Sequence, residues 1–157
     1  MKTIWRGCLV VFFALTANAA VAHAETAIFK ELGGSWRGSG DLTLSDGSRE
    51  RISCRGYYVP KGGDDLSLAI LCNSPNYKLE IRSNLAGHGS SVSGHWEERT
   101  FNARGELSGR ATGNGLKLSI TGYITGSMSV SLSGSHQSVS ISAHGTGFKT
   151  VSMSLVR

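Results

Sequence analysis

Residues 127–142 read SMSVSLSGSHQSVSIS. Met128, Val130 and Leu132 alternate with Ser127, Ser129, Ser131 and Ser133, and Val139 and Ile141 alternate with Ser138, Ser140 and Ser142. Side chains along a strand point to opposite faces in turn, so a two-residue repeat collects the apolar groups on one side and the hydroxyls on the other. Between the two runs, Ser133-Gly134-Ser135 supplies residues suited to a tight turn, the glycine tolerating positive φ. The segment is therefore a hairpin with one oily and one wet face, as an antiparallel sheet with a single buried side requires.

The same rhythm runs outward in both directions. Tyr77, Leu79 and Ile81 alternate with Lys78, Glu80 and Arg82; Leu116, Leu118 and Ile120 with Lys117, Ser119 and Thr121; Val151, Met153 and Leu155 with Ser152 and Ser154. Ser45-Asp46-Gly47-Ser48, Asn73-Ser74-Pro75-Asn76 and Gly113-Asn114-Gly115 punctuate the runs as turns, and Lys61-Gly62-Gly63-Asp64-Asp65 as a longer hairpin loop. About ten strands result, near 35–45, 48–58, 66–72, 76–83, 90–99, 105–112, 116–123, 127–133, 137–143 and 149–156, with one short helical turn near Ala27 to Leu32. Regular spacing and one apolar face per strand predict an all-β, antiparallel up-and-down meander barrel of about 8–10 strands. Closure would also remove the edge strands that invite aggregation. Trp36, Gly38, Gly40, Leu42 and Leu44 share the inward face of the first strand, where the glycines permit a bend or a ring lying across them.

Ahead of this domain, Lys2 and Arg6 precede the apolar run Leu9–Leu15, and Ala22-His23-Ala24 has the small-x-small form of a cleavage site. Residues 1–24 thus read as a cleaved signal peptide and 25–157 as one β-barrel domain, periplasmic or secreted, with no transmembrane segment in the mature chain, since the apolar run is too short to span a bilayer. Loss of Lys2 and Arg6 lowers the formal charge from +5 to +3. The remaining bases are scattered, which argues against nucleic acid as a partner. Only Cys54 and Cys72 remain after cleavage, and an oxidising compartment favours their pairing. A hairpin centred on Gly63 places 54 opposite 72 and Tyr58 opposite Leu68, on the face carrying Ile52, Leu66 and Ile70.

Phe29-Lys-Glu-Leu-Gly-Gly-Ser-Trp36 resembles the opening of a lipocalin-type barrel, in which a helical turn leads into a strand bearing Gly-x-Trp, here Gly34 and Trp36. The resemblance implies a basic residue from the last strand over that tryptophan, with Arg157 the first candidate and Lys149 the second. The Thr-Asp-Tyr-type turn of that superfamily is absent. Avidin-like barrels share the Gly-x-Trp start, without a recognisable biotin-contacting set here. Bacterial metalloprotease inhibitors share the small barrel, that start and one disulfide. GSWRGSG (34–40), SDGSRERISCRGYY (45–58), LCNSPNYKLEIRS (71–83) and SGHWEE (93–98) resemble a group of exported bacterial barrel proteins that have no assigned activity. Gly94-His95-Trp96 echoes Gly34-Ser35-Trp36, either through duplication or through coincidence in a glycine-rich chain.

Chemistry-bearing residues are sparse in pattern. His88, His95, His136 and His144 lack metal-ligand spacing, so no metal and no cofactor are expected. The serines form no nucleophile elbow. Among carboxylates Glu98, on the Trp96 side of its strand, is the candidate for a cavity acid; the other reading is a strand-end charge paired with an arginine. An outer-membrane barrel, with apolar groups toward lipid, is disfavoured by short strands and few aromatics. No catalytic residue is assigned and no enzyme is expected. The leading expectation is a binding module taking a small apolar or amphipathic ligand in the barrel mouth, with Trp36, Tyr58, Trp96 and Phe101 as candidate contacts, Trp36 being also a core candidate. The alternative is a protein-interaction or protease-inhibitor-like module with a protein partner. Cavity size separates the two, because Met128, Val130, Leu132, Val139, Ile141, Met153 and Leu155 suffice to fill a small barrel.

Overall fold

The structure, a computed structural model, describes residues 27–62, 64–145 and 147–157. The segment read as a signal, 1–24, lies outside the described residues. A short helix, α1 (Ala27–Leu32), precedes ten strands: β1 (Gly34–Leu44), β2 (Arg49–Pro60), β3 (Asp65–Asn73), β4 (Lys78–His88), β5 (Ser91–Glu98), β6 (Ala103–Thr112), β7 (Gly115–Gly122), β8 (Thr125–Ser133), β9 (His136–His144) and β10 (Phe148–Val156). Each strand pairs antiparallel with its sequence neighbours, and β10 returns to β1, so the meander closes into a barrel.

Period-two alternation in the sequence becomes alternation of burial. Met128, Val130, Leu132, Val139 and Ile141 are buried, while Ser127, Ser129, Ser131, Ser138 and Ser140 face solvent. The outer face therefore carries hydroxyls and charges where a lipid-facing barrel needs an apolar band. The β2–β3 register pairs Cys54 with Cys72 and Tyr58 with Leu68, and the cysteines form a disulfide.

In a meander the odd-to-even turns gather at one end and the even-to-odd turns at the other. The second end is the closed one. Ile28, Phe29 and Leu32 of α1 are buried there with Trp36 of β1. The last turn of a helix leaves carbonyls without intrahelical partners. Here Trp36 Nε1 donates to Leu32 O (2.8 Å), and Arg157 Nη1 donates to Glu31 O (2.8 Å) and Gly33 O (3.2 Å). The Arg157 guanidinium lies 4.7 Å from the Trp36 ring centroid, the cation–π contact expected from the chain ends. β1 and β10 approach closely at Gly38 and Gly40: a Cβ would lie 1.9 Å from Ser154 O at the first and 1.9 Å from Ser152 O at the second. The glycines of β1 thus let the first strand bend into the last.

Trp36 and Trp96 do not occupy equivalent places. Trp36 starts β1 at the closed end, and Trp96 lies near the end of β5 at the other, whereas halving a ten-strand barrel would relate β1 to β6. The echo between their motifs gains no structural counterpart.

One polar pair is sealed in the closed half. Tyr58 Oη donates to Gln137 Oε1 at 3.1 Å, and burial pushes the phenol far above its ordinary pKa. Gln137 Nε2, also buried, has no partner among the described residues. An unpaired buried group costs about 1–3 kcal/mol, while replacing both members of a pair by apolar groups is close to neutral. Tyr58→Phe is therefore expected to destabilise by about 1–3 kcal/mol, and adding Gln137→Leu to restore stability to within about 1 kcal/mol of wild type. Urea unfolding of the two single variants and the double variant measures the coupling; simple additivity of two losses would refute it.

Candidate functional site

The odd-to-even turns surround an open end, and beneath them the barrel is not filled. A cavity of about 430 Å³ lies between the ends of the strands, within the usual range for small-molecule sites. Leu68, Leu79, Leu107, Ile120, Met128 and Val151 form much of its wall. The apolar residues counted as sufficient to fill the barrel are divided: Met128 and Ile141 line the cavity, whereas Val130, Leu132, Val139, Met153 and Leu155 pack away from it.

Aromatic side chains collar the mouth. Phe101 is half exposed and Tyr123 more so. Tyr77 meets Phe148 edge-on at 5.4 Å between centroids, and Phe101 meets the same ring at 5.6 Å. Asn102, in the β5–β6 turn, holds φ at 52°, a left-handed conformation that asparagine tolerates better than most residues.

Among the described residues two polar side chains besides the tyrosines, Ser83 and Glu98, line this cavity, and both are held by backbone. Ser83 Oγ donates to His95 O at 2.8 Å. Glu98 accepts from Glu80 N (2.8 Å, at Oε1) and from Phe101 N (2.6 Å, at Oε2). The carboxylate thereby ties β4 to the β5–β6 turn and fixes the base of the collar. It forms no ion pair with an arginine among the described residues, which corrects the strand-end pairing considered from sequence. The arginines nearby serve Glu80 instead: Arg82 at 2.9 Å and Arg99 at 3.4 Å. The hydrogen bond from Arg82, assisted by its charge and those of Arg99 and Lys78, holds the Glu80 carboxyl below its ordinary range. Glu50 is lowered likewise by hydrogen bonds from Ser74 and Asn76, which fasten the β3–β4 turn to β2.

Trp96 is positioned by a gap in the neighbouring strand. Its indole Nε1 donates to Thr121 O at 3.1 Å, across Gly105, where a Cβ would sit 2.8 Å from that nitrogen. The indole N–H is thus spent on β7, leaving the ring to the cavity wall. His95, the next residue, points outward and pairs with Glu106 at 2.8 Å.

Of the four candidate contacts, the structure brings Trp96 and Phe101 to the cavity. Trp36 and Tyr58 are sealed in the closed half, 1% and 2% exposed. Sequence reasoning missed Tyr77, Tyr123 and Phe148 as site residues. Their shared feature is position: each flanks an odd-to-even turn. Among the described residues no group of three metal-ligating side chains converges.

A second depression runs along the outer face of β2 to β6, past Tyr57, Val59, Asn84, His95 and Arg104. Its walls carry the His95–Glu106 pair and the Arg82 that serves Glu80.

The fold is a closed, ten-stranded, antiparallel up-and-down β-barrel with a plugged end and an open end. No protein-family model matches the chain, and no curated protein matches it. Among solved structures it is similar to Rv2717c from M. tuberculosis, with a TM-score of 0.68 and 17% identity over 87% of this chain and 98% of that one. It is also similar to the S-type phycobiliprotein lyase CPES from Guillardia theta, with a TM-score of 0.57 and 15% identity over 83% of this chain and 90% of that one. At these identities the likeness is one of fold.

Proposed function

We propose that the protein is a binding barrel for a small apolar or amphipathic molecule, which enters between the aromatic side chains of the open end. The observation that carries this reading is the 430 Å³ cavity in a barrel whose other half is tightly filled. A core under no demand beyond stability gains by filling such a space, since a void forfeits packing contacts. Apart from Glu98 the wall is largely aliphatic and aromatic, and Ser83 and the Trp96 N–H are both engaged by the barrel's own backbone. The apolar part of the wall selects by shape and burial. Tyr123 lines the cavity and is well exposed to solvent, so a polar end of the ligand belongs beside it.

A barrel of this fold bears the name of a lyase, so the fold is compatible with catalysis. Binding is the reading that the largely apolar wall of this cavity supports. The protein-contact alternative would use the outer depression with Tyr57 and Val59, where His95 pairs with Glu106 and Arg82 is engaged by Glu80. We place the protein outside the cytoplasm. The signal-like segment 1–24 and the Cys54–Cys72 bridge support that placement.

Filling the cavity tests the reading. Ala103 is a small wall residue at the start of β6. Purified protein is expected to enhance N-phenyl-1-naphthylamine fluorescence saturably, and Ala103→Trp to weaken that binding at least about tenfold, a loss of about 1.4 kcal/mol. The circular dichroism of the variant should remain that of a β-barrel. Equal probe binding by the two folded proteins would overturn the cavity as the site.

A further inference from the structure

We propose that the mouth selects a cation: an amphipathic molecule whose ammonium group lies between Glu98 and the aromatic collar, with its apolar tail in the barrel. This rests on the cavity being the binding site and adds the charge of the occupant. Two independent features converge on it. The first is a carboxylate where an apolar wall would be expected. Glu98 is 8% exposed and lines the cavity near its mouth. A buried charge is costly unless paired, and no cation pairs with it among the described residues. A carboxylate offers about four acceptor sites. The bonds from Glu80 N and Phe101 N use two. The capacity left over belongs to whatever enters the cavity.

The second feature is the ring cluster directly above. Tyr77, Phe101 and Phe148 pack edge to face, and Tyr123 stands beside the same opening. Aromatic faces attract alkylated ammonium groups through the ring quadrupole, and a quaternary ammonium keeps an apolar surface that suits such a cage. The hydrogen bond from Phe101 N puts the carboxylate at the base of this cluster. Charge below and rings above form a receptor for a cationic head group. The same carboxylate repels an anionic head group and gives a neutral one no ionic partner.

Displacement of N-phenyl-1-naphthylamine by three decyl compounds, all below micelle formation, tests this. Decyltrimethylammonium is expected to displace the dye at about tenfold lower concentration than decanol, and decanoate to be the weakest of the three. Glu98→Gln is expected to weaken the cation about tenfold more than decanol, bringing the two to parity. Because that variant loses an acceptor for one backbone N–H, Phe101→Leu provides a second arm: it removes a half-exposed ring and should weaken the cation several-fold more than the alcohol. If decanol matches or exceeds the cation with the wild-type protein, the charge selectivity is wrong while the cavity reading stands. If the dye does not bind at all, both are wrong.

Discussion

Trp36→Ala is expected to cost about 3–5 kcal/mol, the range for removing a large buried aromatic. The side chain is 1% exposed, so nearly all of it is lost from packed surroundings. Its indole N–H also serves the Leu32 carbonyl, and its ring lies under Arg157. The substitution would leave the end of α1 with one fewer partner and the last residue of the chain without its platform. At roughly 3 °C per kcal/mol for a domain of this size, the melting temperature should fall by about 10 °C or more. Two companions divide the effect. Trp36→Phe keeps most of the packing and loses the hydrogen bond, so about 1–2 kcal/mol is expected. Arg157→Met keeps the ring and loses the cation, and should cost about 0.5–2 kcal/mol. Thermal unfolding followed by circular dichroism ranks the three; a Trp36→Ala loss below about 1 kcal/mol would mean that the plug does not hold the closed end.

That plug was legible in the sequence because its parts are local or terminal. Gly-x-Trp after a short apolar helical turn announces itself within residues 29–36, and Arg157 lies where a closing meander must return. The strands were legible for a related reason: the alternation of residues 127–142 is a direct image of the two faces of a sheet. Burial of Met128, Val130 and Leu132 beside exposed serines is that pattern realised. The strand ends differ by a few residues, since β4 continues through Leu85 to His88. The cavity was not legible. Whether an inward residue packs against a neighbour or borders empty space depends on how strands splay across the barrel, and Met128 and Val130, identical in pattern, fall on different sides of that division. Tyr58 and Trp96 looked alike as inward aromatics on this basis. Position along the barrel axis separates them: Tyr58 is two residues from the end of β2 at the closed side, and Trp96 two from the end of β5 at the open side. Tyr77, Phe101, Tyr123 and Phe148 all flank odd-to-even turns, so the turns of a meander, sorted by parity, would have gathered the collar.

Reduction of the Cys54–Cys72 bridge is expected to cost about 3 kcal/mol, chiefly through the unfolded chain. The two residues stand directly opposite in the β2–β3 register, with Cα atoms 4.1 Å apart, so the sheet already holds them together once folded. What the bridge removes is the freedom of the unfolded hairpin, whose cysteines are 18 residues apart. Two consequences distinguish this from lost packing. Reduced wild-type protein, from which no side-chain carbon has been deleted, should lose nearly as much stability as Cys54→Ala/Cys72→Ala. The urea m-value should also rise on reduction, because the freed chain exposes more surface when unfolded. Neither cysteine lines the cavity, so N-phenyl-1-naphthylamine should bind the reduced, still folded protein with unchanged affinity. Urea titrations with and without dithiothreitol, with dye binding measured on the same samples, check all three. A stability change under about 1 kcal/mol would refute the unfolded-chain account, and a fall in dye affinity while the barrel remains folded would show the bridge acting on the native state near the site.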